Sequence, residues 1–73
     1  MTVTEVPFGS LAFDTARHRV GHVMDRLGTR IQLRPLGGGV EWDAQPEDVR
    51  PATALEELTA RLAARDARSR GRR

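Results

Sequence analysis

The chain has no cysteine, no lysine and no tyrosine, and its only aromatic residues are Phe8, Phe13 and Trp42. Without cysteine there is no disulfide, no thiolate zinc site and no thiol nucleophile. Secreted domains of this size usually carry disulfide staples, so a cytoplasmic location is expected. Long apolar runs are missing too: nothing approaches the roughly 18 residues of a membrane-spanning helix. The opening MTVTEVPFGS has neither a basic region nor an apolar stretch, and it does not read as a secretion signal. Its 73 residues suit one domain. A chain this short buries only about 60% of its unfolded surface, which limits stability to the order of a few kcal/mol. The three aromatics are expected to anchor the core, with no room for a large cofactor pocket.

All twelve basic residues are arginine. Together with the wealth of Ala and Gly, this is the bias that GC-rich codons produce. It weakens arginine as a sign of phosphate recognition. The net charge of +2 divides unevenly: residues 1–60 hold six Arg and nine acids, net −3, whereas residues 61–73 hold six Arg and one Asp, net +5. The high isoelectric point therefore belongs to the C-terminal segment, and the body is mildly acidic.

Residues 1–9 read as an irregular arm, 10–52 as a small β-barrel, 53–68 as a helix and 69–73 as a disordered basic tail. Residues 11–13 open a first strand. Asp14 begins the polar turn that follows and is suited to bond its own downstream backbone. Residues 19–25 form a second strand with mixed faces, since Val20 and Met24 share one side and Val23 lies on the other. Gly21 between them suggests a bulge or sharp bend. Residues 29–34 and 40–43 alternate polar and apolar with period two, joined by a Pro-Leu-Gly-Gly hairpin loop. Opposing Leu33 to Val40 puts Ile31 opposite Trp42 on one apolar face. Gln32 then faces Glu41 and Arg30 faces Asp43, the last pair worth about 0.2–1 kcal/mol. A slip of one residue would turn Trp42 to the polar side. Residues 48–50 form a short closing strand that Pro51 stops.

Thr53 and Glu56 match a capping box at a helix start. Leu55, Leu58 and Leu62 then fall on one helical stripe, and Glu57 and Arg61 form an i,i+4 pair in the favourable orientation.

The order of R-V-G-H-V (19–23), I-Q-L-R-P (31–35), G-G-G-V-E-W-D (37–43) and E-D-V-R-P-A-T (47–53) resembles small actinobacterial proteins with no known activity. The likeness spans residues 11–53. The R-V-G-x-V start with its following hairpin is also similar to KOW, Tudor-like and PRC-barrel segments of the SH3-like class. That class implies five short strands in a partly open barrel used mainly for binding. The acidic body departs from KOW modules, so nucleic-acid binding does not transfer to the barrel.

Several residue groups invite a chemical role. His18 and His22 are four apart, but on a strand that spacing is about 13 Å, too far to share one ion. Gly37-Gly38-Gly39 lacks the following helix N-terminus and the lysine of a phosphate loop. Glu41, Asp43, Glu47 and Asp48 form a solvated acidic edge without an enclosing pocket to split their pKa values. No nucleophile–base arrangement is present, so no enzyme activity, metal or cofactor is expected.

The reading is a mainly β protein: a small, five-stranded, SH3-like, partly open barrel with one C-terminal α-helix. Its expected function is that of a non-catalytic binding or adaptor module for a protein partner. The surfaces offered are Trp42, whose first role is core, the loop Pro35, Leu36, Gly37, Gly38 and Gly39, and the stripe Leu55, Leu58 and Leu62. That stripe packs on the parent barrel or joins two copies into a homodimer. An alternative is nucleic-acid binding through Arg61, Arg65, Arg68, Arg70, Arg72 and Arg73, where no aromatic is interleaved for base stacking. A further alternative is an accessory subunit of an enzyme.

Overall fold

The computed structural model describes residues 6–71. Five strands form one antiparallel sheet: β1 (Leu11–Asp14), β2 (Arg19–Leu27), β3 (Arg30–Pro35), β4 (Trp42–Ala44) and β5 (Val49–Pro51). A 3₁₀ turn, Pro46–Asp48, links β4 to β5, and one helix, α1 (Ala54–Gly71), ends the chain. The spatial order is β4-β3-β2-β1-β5, so β5 returns to pair with β1 after a three-hairpin meander. This is the SH3-like arrangement expected, and the sheet curls without closing into a full barrel. No helix among the described residues is long and apolar enough to cross a membrane.

The β1–β2 turn forms as its sequence dictates. Asp14 Oδ1 accepts the Ala16 and Arg17 amides at 2.9 and 3.2 Å, and the His18 amide donates to the Asp14 carbonyl at 2.7 Å. His18 closes the turn with φ at +57°. Across the hairpin Ala12 faces Gly21 and Phe13 faces Val20. Ala12, Gly21 and Val23 turn inward, whereas Phe13 and Val20 lie on the opposite face of the sheet. The mixed faces of the second strand thus have a plain cause: Val23 serves the interior and Val20 the outer face, toward α1.

Gly21 is not the site of the bulge. The register shift in β2 falls between Val23 and Asp25, two residues further on. Gly21 instead permits a close approach, because a Cβ there would stand 2.9 Å from both the Arg34 carbonyl and the Trp42 ring.

The β3–β4 hairpin differs from expectation by two residues. Leu33 faces Trp42, Gln32 faces Asp43 and Ile31 faces Ala44. Val40 is not paired but stands in the loop, 85% exposed. The connection takes six residues, 36–41, rather than the five between the expected strands, with Gly38 and Gly39 at positive φ. A shift of two preserves every face, which is why alternation alone could not separate the two registers. The observed one puts the Trp42 ring at the barrel centre. Arg30 and Asp43 still meet, as diagonal neighbours at 4.0 Å, and Arg34 donates to Glu41 at 3.0 Å.

Val6, Ala12, Val23, Ile31, Leu33, Trp42, Ala44 and Val49 form the core. The N-terminal arm contributes through Val6, held by a Gly9 amide bond to the Val23 carbonyl at 2.6 Å. Of the three aromatics only Trp42 is a core residue; Phe8 is 62% exposed, and Phe13 is half-buried on the helix side. Trp42 Nε1 donates to Asp14 Oδ2 at 2.8 Å, so this carboxylate, the one buried among the described residues, is held by the indole and two turn amides, with the Arg17 guanidinium 3.8 Å away. That satisfies a group whose burial alone would be costly.

Helix α1 starts with the expected capping box: the Glu56 amide donates to Thr53 Oγ1 at 3.1 Å, and the Thr53 amide to Glu56 Oε1 at 3.0 Å. It runs to Gly71, three residues beyond the expected end at Arg68, so Ser69, Arg70 and Gly71 are helical rather than tail. Arg72 and Arg73 lie outside the described residues.

Candidate functional site

Where α1 crosses the outer face of the β1–β2 hairpin it touches the body through small side chains. Ala64 is buried against Gly37, where a Cβ would meet the Ala64 Cα at 3.3 Å. At the other end of the seam a charged clamp holds the helix start. The Arg50 guanidinium grips Glu56 with two hydrogen bonds, of 2.8 and 2.7 Å. The same guanidinium lies 4.7 Å from the Phe13 ring centre. Arg50 comes from β5 and Phe13 from β1, so this one side chain ties two strands to the helix. The Arg50 hydrogen bonds, with those from Thr53, hold the Glu56 carboxyl well down, at about 2 against an ordinary 4.5.

Between these two attachments the helix stands off the sheet. The gap is an open groove of about 550 Å³. Its floor is the cross-strand pair Phe13 and Val20. One wall is the β3–β4 loop, from Pro35 to Gly38, and the other is the α1 face that carries Leu55, Thr59, Ala60 and Ala63. His18 and Arg19 stand at the β1–β2 end. The His18 ring meets the Phe13 ring edge-on at 6.0 Å. Arg19 stacks on the Trp42 ring at 4.3 Å, across the sheet end, and no carboxylate pairs with it among the described residues.

The residues singled out in the sequence are therefore divided. Pro35, Leu36, Gly37, Gly38 and Leu55 come together around the groove. Gly39 turns away, with only Pro35 near its Cβ direction. Trp42 is 8% exposed and offers a partner nothing beyond the ring face that Arg19 already covers. The leucine stripe does not pack on the barrel: Leu55, Leu58 and Leu62 are 72%, 54% and 50% exposed. Arg61 and Arg65 are exposed, with Arg61 3.9 Å from Glu57, and Arg68 and Arg70 extend the helix beyond them.

Phe13, Val20, Ala60, Ala63 and Ala64 were not singled out from the sequence. A signal existed: the alanines at 60, 63 and 64 are small residues at helical spacing, and a glycine at 37 leaves room in the loop for the close helix approach such a face makes. His22 is half-buried in β2 opposite Leu11, away from His18 in the turn. Asp43 and Asp48 border a shallow polar depression shared with Arg17 and Arg30. Among the described residues no group of three or more His, Asp or Glu is placed to hold a metal ion. No family model, no curated protein and no solved structure matches the chain, so its functional reading rests on the groove and the helix themselves.

Proposed function

We propose that the protein is a non-catalytic binding module that takes an apolar segment of a partner protein into the groove between α1 and the β1–β2 hairpin. The observation that carries this reading is the groove itself, floored by Phe13 and Val20 and walled by a glycine-rich loop and a helix. Its lining is mainly apolar with a few polar groups at the rim, the usual make-up of a recognition site. The rim also has a sign. Glu56 is neutralised by Arg50, while Arg19 is exposed and has no carboxylate partner among the described residues. The segment that fits is aliphatic with an acidic residue beside it.

Selection of displayed random peptides on the full-length protein tests this. Enriched peptides should carry an aliphatic run next to Asp or Glu. Ala63→Trp, which fills the groove from the helix side, should abolish their binding, and Arg19→Glu should remove the acidic preference. No enrichment, or enrichment indifferent to Ala63→Trp, would refute the reading.

The continuity of α1 through Gly71 favours a second reading. Arg61, Arg65 and Arg68 recur at helical spacing, a basic flank suited to phosphates. Truncation after Asp66 separates the two readings, because it removes the distal arginines yet keeps Ala64 on Gly37. Salt-sensitive DNA or RNA binding lost in that truncation would support the second reading over the first.

A further inference from the structure

Helix α1 has two unlike faces, and the body uses only one. Ala60 and Ala64 turn toward the sheet, with Ala64 buried on Gly37. Two residues along a helix is a rotation of about 200°. Leu58 therefore points nearly opposite Ala60, and Leu62 nearly opposite Ala64. Their exposures of 54% and 50%, with 72% at Leu55, agree with that geometry. An ordinary amphipathic helix docks through its large apolar residues. Here the docked face is the small-residue face, and the leucine face is left for something else.

The charge pattern of the same helix says what. Of its first-turn acids Glu56 is held by Arg50, which leaves Glu57 on the free side, and its later part holds Arg61 and Arg65 against one Asp66. A second copy of this helix laid antiparallel, with Leu58 beside Leu62, brings Glu57 of each copy within about one turn of the other's Arg61 and Arg65, at both ends at once. Parallel packing would bring like charge to like. The antiparallel arrangement also pairs helix dipoles head to tail. Such a contact is isologous and closes on itself, as a two-fold dimer must. Leu55 to Leu62 is seven steps along the chain, about 10 Å of helix. In the aligned pair, Leu58 of each copy lies beside Leu62 of the other, with Leu55 at the margins.

We infer that this protein forms a two-fold homodimer through the Leu55–Leu58–Leu62 face of α1, with the two helices antiparallel. The seam is short, so the dimer belongs to the weak, concentration-dependent class. Leu55 borders both the seam and the groove, and the rest of the groove between α1 and the hairpin stays open in each copy.

Sedimentation of the full-length chain across a concentration series should show a monomer–dimer equilibrium. Leu58→Glu with Leu62→Glu should shift the dissociation constant by at least 100-fold, while the thermal midpoint measured at monomer concentrations stays unchanged. Ala63→Trp, which fills the groove, should leave the dimer intact. Because the chain has no native cysteine, orientation can be read directly. An equimolar mixture of Leu58→Cys and Leu62→Cys chains, equilibrated in a glutathione buffer, should give the mixed disulfide well above the twofold excess over either self-linked species that random pairing produces. A chain that stays monomeric at millimolar concentration overturns the inference, as does a dimer that survives the double glutamate variant. A mixed disulfide at or below that twofold excess would overturn the antiparallel arrangement.

Discussion

The two faces of the β1–β2 hairpin are closed in opposite ways. On the inner face Ala12 and Val23 meet Leu33 and Trp42, and the buried carboxylate of Asp14 is tied to the indole. On the outer face Phe13 and Val20 are covered by a helix that touches down at Ala64 and at the Arg50–Glu56 clamp, and leaves a groove between. Large side chains in dense contact make the first face costly to alter. Small side chains and one ion pair make the second adjustable. The difference teaches where stability and binding are kept apart in so short a chain: the interior holds the fold, and the seam can admit a ligand without unfolding it.

The comparison breaks most sharply at Trp42. Trp42→Ala removes the largest core side chain and the donor to Asp14, an effect expected to cost about 3–5 kcal/mol. A core of this size supplies little more than that. The variant should therefore be largely unfolded at room temperature by far-UV circular dichroism. Trp42→Phe keeps most of the volume but removes the hydrogen bond to Asp14 Oδ2, leaving that oxygen only the Arg17 guanidinium at 3.8 Å, at a cost of about 1–3 kcal/mol, and should remain folded. If both variants melt like the natural protein, the interior is not what holds the fold.

Much of this interior was legible in the sequence because period-two alternation is a physical demand of a half-buried strand. Ile31, Leu33 and Trp42 share a face for that reason, and Asp14 closes its turn through chemistry local to five residues. The register of the third hairpin was not legible, since Val40 and Trp42 have the same parity and only the loop geometry at Gly38 and Gly39 chooses between them. The helix shows the same divide. Its capping box is a local rule and could be read in full. Its docked face could not, because leucines predict burial better than alanines do, and here the close approach to Gly37 outweighs the apolar area of the leucines. The groove stayed hidden because its floor pairs Phe13 with Val20 on the side of the sheet that alternation marks as outward.

A milder challenge to the comparison targets the seam. Gly37→Val places a branched side chain where even a Cβ would stand 3.3 Å from the Ala64 Cα. In a closed core such overpacking costs about 1–3 kcal/mol. At this seam the helix can tilt away, so global stability should fall by no more than about 1 kcal/mol. Amide exchange should instead quicken in α1 and stay slow in β2 and β3. Equal loss of protection in both would show that helix and barrel open as one unit, against the division argued above.

The smallest effect expected is at the clamp, and it is set by pH. Glu56 titrates at about 2 in the folded chain, against 4.5 ordinarily, chiefly because Arg50 donates to it and secondarily because Thr53 does. A carboxyl with a depressed pKa stabilises the fold fully above its ordinary value and loses that contribution as pH falls toward the folded one. The natural protein should therefore lose stability between about pH 4.5 and pH 2. Glu56→Gln cannot lose what it lacks: it should start less stable at neutral pH and converge on the natural protein as acid is added. Trp42 reports the unfolding in both chains, since it is the only tryptophan and lies away from the clamp. Parallel curves, with no convergence below pH 4.5, would mean that Arg50 holds the helix through the Phe13 ring rather than through the carboxylate. The seam would then be fastened by stacking, and its strength would be blind to acid.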